Sequence, residues 1–262
     1  MFSPSLFIRR FPLFRPIRRF LYTHSYVGLE KEALGFQLRN PVGAAGTAIP
    51  DGSRIIGALS DFGYGFIEVD GSLDSIQDLR EGESAVPVFA CIPVSCDNRT
   101  EEEVISSTDR LFSKLYDFAD AFIIARNPLD PNPLLDDEMF VSDLLDNILS
   151  TRLSEETYKP VLLKVFCDTE RGRLESLLSY CRLSGIDGIV VESDSSESAV
   201  KMLTQIVKMV SGRYPVIVSA PFSSAEEASD ALEKGASLLL LKPVRGNIIP
   251  RPKTFLRYLE ND

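Results

Sequence analysis

Apolar residues along this chain fall into short runs that recur at intervals suited to alternating strands and helices. Eight β-rich runs follow one another: Pro41–Ala45, Gly65–Val69, Pro87–Ile92, Ala121–Ala125, Pro160–Val165, Gly188–Val191, Pro215–Ser219 and Ser237–Leu241. Most read as continuously apolar rather than alternating, as parallel strands covered on both faces do. The segments between them carry helical period. Leu174, Leu177, Leu178 and Cys181 lie at i, i+3, i+4 and i+7, and Val200, Leu203, Ile206, Val207 and Val210 share a face in the same way. Thr100 with Glu103, and Ser224 with Glu227, have the spacing of a capping box at a helix start. Gly63, Gly185 and Gly235 follow predicted helices, where the chain wants a left-handed residue.

Strand–helix alternation of this kind predicts an α/β protein, a single (β/α)8 TIM barrel of parallel strands with helical crossovers. The 262 residues suffice for one such barrel. We divide the chain into an N-terminal arm, residues 1–32, and a barrel, residues 33–262. One unit is imperfect, because "GSLDSIQDLREGESA" between the second and third runs is short and weakly helical. The competing architecture is an open doubly wound sheet.

Charge changes the picture at one end. The chain carries a formal −10, yet residues 1–28 hold five arginines and no acid, leaving −15 for the rest. That balance argues against a nucleic-acid surface. The arm, "MFSPSLFIRRFPLFRPIRRFLYTHSY", is aromatic and broken by Pro4, Pro12 and Pro16, so it lacks the apolar core of a secretory signal. Two destinations fit it: an anionic membrane surface, or the acidic body of the protein itself. No run is long enough to span a membrane. The four cysteines, Cys91, Cys96, Cys167 and Cys181, show no C-x-x-C spacing and read as reduced thiols of a cytoplasmic protein. Cys91, Cys96 and Cys167 fall near strand ends, where a reactive thiol could sit. With His24 as the lone histidine, and that in the arm, metal and Ser-His-Asp chemistry lack their usual ligands and bases, and no metal is expected.

A barrel of this kind places its site at the carboxyl ends of its strands. The polar residues there are Thr47, Asp70, Arg126, Asn127, Lys164, Glu192, Asp194, Ser219 and Lys242. Lys164 interrupts "PVLLKVF", and an ammonium inside a strand must reach an anion or a polar mouth. Three readings fit it: an ion pair to Asp70 or Glu192, a ligand contact, or a Schiff-base amine. Lys242 precedes Pro243 and reads as a solvated loop residue, and "ARNPLDPNP" as a rigid turn entering a helix.

These pieces, in this order, resemble dihydroorotate dehydrogenase, the flavin-dependent barrel of pyrimidine biosynthesis, nearest its quinone-linked class. "LGFQLRNPVGAAG" looks like the family's first barrel strand, "GYGFIEVD" its second, "FADAFIIARNPLDPN" its fourth with the catalytic loop, and "KPVLLKV" its fifth. "GIDGIVVES" and "YPVIVSAPFSSAEEASDALEKGASLLLL" resemble the sixth to eighth. The likeness covers about residues 33–242. It implies FMN as cofactor, with Ala45, Gly46 and Lys164 at flavin-binding positions, and an arm peripheral to the inner membrane.

The site departs from the family pattern. Its first-strand lysine position holds Ile49, the long excursion after the second strand is cut to residues 70–86, and the flavin-contacting asparagine falls at Pro93 or Val94. Aligned on Pro128, the catalytic serine is Asn127 and the strand's asparagine is Ile124. The Thr-Asn-Thr after the sixth strand reads Glu192, Ser193, Asp194. The phosphate-binding Gly-Gly and Tyr-Thr-Gly become Ala220, Pro221 and Lys242, Pro243, Val244, and proline has no N–H to offer a phosphate. The expectation is a barrel without the flavin reaction, serving a different small ligand, a protein partner or a homo-oligomer, with no catalytic residue assignable. The alternatives are an active FMN-dependent oxidoreductase using Asp130 or Cys96 as base, and a lyase using Lys164 as amine.

Overall fold

The computed structural model describes residues 28–46, 56, 59, 61–71, 84, 86–95, 99–127, 137–244 and 252–260. His24, Thr47, Ile49, Cys96, Pro128 and Asp130, and the arm before residue 28, lie outside them, as does most of the weak unit after the second strand.

The barrel is closed, which removes the open doubly wound sheet. Its strands are β3 (Val42–Ala44), β4 (Phe66–Asp70), β5 (Val88–Val94), β6 (Ala121–Arg126), β7 (Val161–Phe166), β8 (Gly188–Glu192), β9 (Val216–Ala220) and β10 (Leu238–Leu241). They pair in parallel in chain order, and β10 closes on β3 with Leu240 opposite Gly43. All eight apolar runs became barrel strands, each within about a turn's length of the expected bounds. The helices described are α1 (Glu101–Leu115), α2 (Glu138–Ser154), α3 (Arg171–Ser184), α4 (Ser196–Val210), α5 (Ala225–Glu233) and α6 (Pro252–Leu259). The Thr100 capping box forms as spaced, with Glu103 reaching back to the Thr100 N–H. The second box forms only by half. Ser224 accepts from the Glu227 N–H, but the Glu227 carboxylate turns to Ser223 instead. Gly185 ends α3 at φ 87°, the left-handed cap the sequence calls for.

Ahead of the barrel lies an antiparallel hairpin, β1 (Lys31–Ala33) with β2 (Phe36–Leu38), which the run pattern did not predict. Its Leu38 and Phe36 pack under the barrel, where the Phe36 ring stands 5.7 Å from Phe89.

Period two along each strand divides the core into two compartments. Outward residues such as Ile67, Ala90, Ile124, Leu163, Val191 and Leu239 pack beneath the helices. Inward residues, among them Phe66, Phe89, Ile123, Leu162, Val190, Ile217 and Leu240, fill the lumen. Both compartments are apolar and buried, which is why the strands read as unbroken apolar runs. Gly43 leaves room for this filling: a Cβ there would stand 2.6 Å from the Phe66 ring. At the amino ends, Asp120 accepts from the Val88 N–H and Asp187 from the Val161 N–H, both at 2.8 Å. Arg152, buried at the same pole, pairs with Asp187 at 2.7 Å.

Candidate functional site

Followed toward the carboxyl ends, the inward register changes character. Two residues past Phe66 comes Glu68; two past Leu162, Lys164; two past Val190, Glu192; two past Ile217, Ser219; and two past Leu240, Lys242. Strand geometry therefore points all five into the top of the lumen. Glu68, Lys164, Glu192 and Ser219 are buried, and Lys242 is nearly so, with its side chain 12% exposed.

The charges form one connected chain. Lys164 Nζ donates to Glu68 Oε1 at 2.8 Å and lies 3.4 Å from Glu192 Oε2. Lys242 Nζ reaches Glu192 Oε1 at 2.5 Å, Asp194 Oδ1 at 2.8 Å and the Ser193 carbonyl at 3.2 Å. The three donors of the Lys242 ammonium are thereby used. This corrects the reading of Lys242 as a solvated loop residue: the turn at Pro243 brings the side chain back over the mouth to a buried carboxylate. Glu192 is one of the two partners expected for Lys164; the other proves to be Glu68, two residues below Asp70 on the same face.

The protonation states follow from these contacts. Burial alone would pull the Lys164 ammonium down, but the carboxylates of Glu68 and Glu192 beside it outweigh burial and raise its pKa far above the ordinary lysine value. Lys242 is raised in the same way, with Glu192 the leading cause against burial. Burial pushes the Glu192 carboxyl up, yet Lys164 and then Lys242 overcome it and hold it below the usual range. Asp194, exposed at the rim, is lowered by its hydrogen bond and charge contact with Lys242. With its charged form stabilised by two carboxylates, Lys164 is unsuited to act as a Schiff-base nucleophile. Burial pushes the Cys91 thiol up to about 12, which leaves it inert at neutral pH. Cys91, Cys167 and Cys181 are free thiols.

Two polar atoms of this cluster have no partner. Glu68 Oε2 is buried and accepts nothing. The Ser219 hydroxyl faces Glu192 and helps to hold that carboxyl low, but short of hydrogen-bond geometry, so its Oγ also stands alone. Gly46, at the end of β3, borders the same place. A Cβ there would stand 3.2 Å from Glu68 Oε1, so the group that its missing side chain admits is the chain's own carboxylate. Ala45 is buried in the lumen beside it. Arg126 leaves the mouth sideways, lying 4.3 Å over the Phe166 ring and pairing with Asp168 at 2.5 Å.

Backbone donors at the strand ends are also taken. Ala45 N–H donates to Leu241 O, Gly71 to Cys91 O, Asn127 to Val94 O, Cys167 to Glu192 O and Ser193 to Ser219 O. After β9, Phe222 and Lys242 both donate to Ala220 O, and the Ser223 N–H goes to Glu227 at 2.9 Å. No group of His, Cys, Asp and Glu suited to a metal ion occurs among the described residues. Of the polar residues predicted for the mouth, the structure joins Lys164, Glu192, Asp194 and Lys242 in one network, with Ser219 beside it. Glu68 was missed, although the alternation Phe66, Glu68, Asp70 marks it.

Fold and site together define a closed parallel α/β barrel whose mouth is filled by its own ion pairs. No protein-family model matches the chain. Curated relatives do. It is 24% identical over 269 residues to the dihydroorotate dehydrogenase (quinone) of Christiangramia forsetii, covering 81% of this chain and 78% of that one. It is 29% identical over 163 residues to the enzyme of the same name from Nautilia profundicola, covering 53% and 44%. Among solved structures, the Eimeria tenella DHODH in complex with ferulenol aligns with a TM-score of 0.71 at 14% identity, over 99% of this chain and 91% of that one. The chain is a distant relative of the dihydroorotate dehydrogenases and shares their barrel.

Proposed function

We propose that this dihydroorotate dehydrogenase-like barrel no longer runs the flavin reaction and keeps its mouth for a different small molecule. The observation that supports this most is the buried chain Glu68–Lys164–Glu192–Lys242, which engages the lysine at the family's flavin position from two sides. FMN is the cofactor its relatives imply, and among the described residues the donors around the mouth do not fit it. A flavin phosphate needs free backbone N–H groups after β9 and β10. Here Pro221 has none, Phe222 and Lys242 donate to Ala220, and Ser223 donates to Glu227. Carboxylates at 192 and 194 would further repel a phosphate. Ala45 and Gly46 keep the family's small residues, but Glu68 occupies the space that Gly46 opens.

The test is the absorbance spectrum of the purified chain: a colourless protein that stays colourless after incubation with FMN is expected, and stoichiometric flavin absorbance would refute the reading. The retention of Lys164 at the family's position favours a second reading, an active FMN-dependent oxidoreductase of dihydroorotate or a related dihydropyrimidine. It demands dihydroorotate-dependent dye reduction that disappears in Lys164→Ala. Among the described residues no helix is long and apolar enough to cross a membrane. A cytoplasmic protein, with its basic arm resting on an anionic membrane, accords with this reading and would appear as salt-sensitive sedimentation with anionic vesicles.

A further inference from the structure

Among the described residues, the three most exposed large apolar side chains are Leu183 at 87%, Leu153 at 81% and Met139 at 79%, and all three stand on α2 and α3. These helices lie side by side and are cross-bonded. Tyr180 of α3 donates to the Asp146 carboxylate of α2 at 2.6 Å, and Arg152 of α2 donates to the Gly185 carbonyl after α3 at 3.2 Å. The second bond sets the height of one helix against the other, so Leu153 and Leu183 fall within about one turn of each other at the amino pole. A single exposed leucine is ordinary, but two at one level on neighbouring helices make a patch.

The charges beside the patch are opposite in sign on the two helices. Exposed charge on α2 is acidic throughout, Glu138, Asp143 and Asp146, because its one cation, Arg152, is buried against Asp187. In contrast, α3 presents Arg171, Arg173 and Arg182 against Glu175 alone. Both helices return from the carboxyl to the amino pole, so they run in the same direction. A two-fold axis parallel to them, set in the plane of contact, therefore lays α2 on α3 of a second copy at equal height. Asp143 then meets Arg173 of the copy toward the carboxyl pole, and Leu153 meets Leu183 of the copy at the amino pole. Each contact occurs twice.

We propose that the α2–α3 face joins two copies of this chain in a two-fold dimer. The inference uses no residue of the mouth and is independent of whether the flavin reaction survives. Self-complementarity is what favours a second copy over an anionic membrane, which the acids of α2 would repel. Helices of 17 and 14 residues give a face about 25 Å long and about 20 Å wide. That is at the small end for a specific dimer, so association belongs in the micromolar range.

The experiment is sedimentation velocity of the full chain over a micromolar dilution series, with a parallel arm of phosphatidylserine vesicles. The expected result is a reversible monomer–dimer equilibrium. Leu153→Glu and Leu183→Glu each weaken it by about tenfold or more. Both side chains are exposed, so circular dichroism and Tm stay those of the unaltered chain. Val244→Glu adds the same charge at an exposed apolar residue outside the face and leaves dimerisation unchanged. Asp143→Arg and Arg173→Glu each impair self-association by setting like charges against each other. Mixed in equal amounts, these two variants dimerise with one another, since both contacts are then opposite in sign. That rescue arises only across copies, and it carries the test should a leucine variant fail to fold. A chain monomeric at every concentration, a dimer indifferent to both leucine variants, or charge variants that fail to pair when mixed would each overturn the proposal. So would vesicle binding that the leucine variants abolish, since the face would then belong to a membrane.

Discussion

The floor and the mouth of this barrel occupy the same register on the same strands, yet they are built from opposite materials. At the floor, Phe66, Phe89, Leu162 and Leu238 interlock, with the Phe66 and Phe89 rings 5.0 Å apart. One inward step higher, Glu68 stands above Phe66, Lys164 above Leu162 and Glu192 above Val190, and these three are charged. Apolar filling is tolerant of its exact partners but not of extra volume; a buried ion pair is tolerant of volume but not of losing a partner. The two layers should therefore fail in different ways.

The largest effect is expected at the mouth. Lys164→Met leaves Glu68 buried without a cation and takes one of two from Glu192, and should cost about 3–5 kcal/mol in urea unfolding. Removing all three charges, Glu68→Gln with Lys164→Met and Glu192→Gln, should recover most of that loss. If Lys164→Met alone is neutral, the mouth is not a buried ion pair and the contrast collapses. At the floor, Gly43→Ala drives a methyl into the Phe66 ring from 2.6 Å and should cost about 1–3 kcal/mol.

Acid should separate the layers next. Glu192 has a folded pKa below its ordinary value of 4.5, so the unfolded chain binds the proton more readily. Its stabilisation is present above that value and fades as pH falls through the lower folded pKa. Wild type should lose stability below about 4.5 more steeply than Glu192→Gln, whereas Gly43→Ala should follow the wild-type slope. The smallest effect belongs to Gly46→Ala, under about 0.5 kcal/mol, because its 3.2 Å neighbour is the far end of a flexible glutamate rather than a ring. A cost equal to that of Gly43→Ala would mean that the mouth is as closely packed as the floor.

The barrel was legible because its signal is local: a strand covered on both faces is an apolar run, and each run declares itself without its neighbours. The N-terminal hairpin was not, since three-residue strands such as Lys31–Ala33 are too short and too polar to show a period. The site was half legible. Lys164 stood out as a charge in an apolar strand, and Glu192 as a carboxylate at a strand end. Glu68 could have been found by counting in twos from Phe66, but attention to strand ends favoured Asp70. Lys242 was misread because its partner is 50 residues away in the chain and meets it only after closure. Sequence adjacency to Pro243 carried no trace of that.

The ion pairs also cross the barrel in a particular direction. They tie β4 to β7, β7 to its neighbour β8, and β8 to the segment leaving β10, and the Glu68–Lys164 pair joins the two halves of the chain that ladder hydrogen bonds join only at two seams. A brace across a ring resists ovalisation, the softest deformation of a closed sheet. The carboxyl rim of this barrel should consequently open as one cooperative unit, its amides exchanging together, rather than fraying strand by strand.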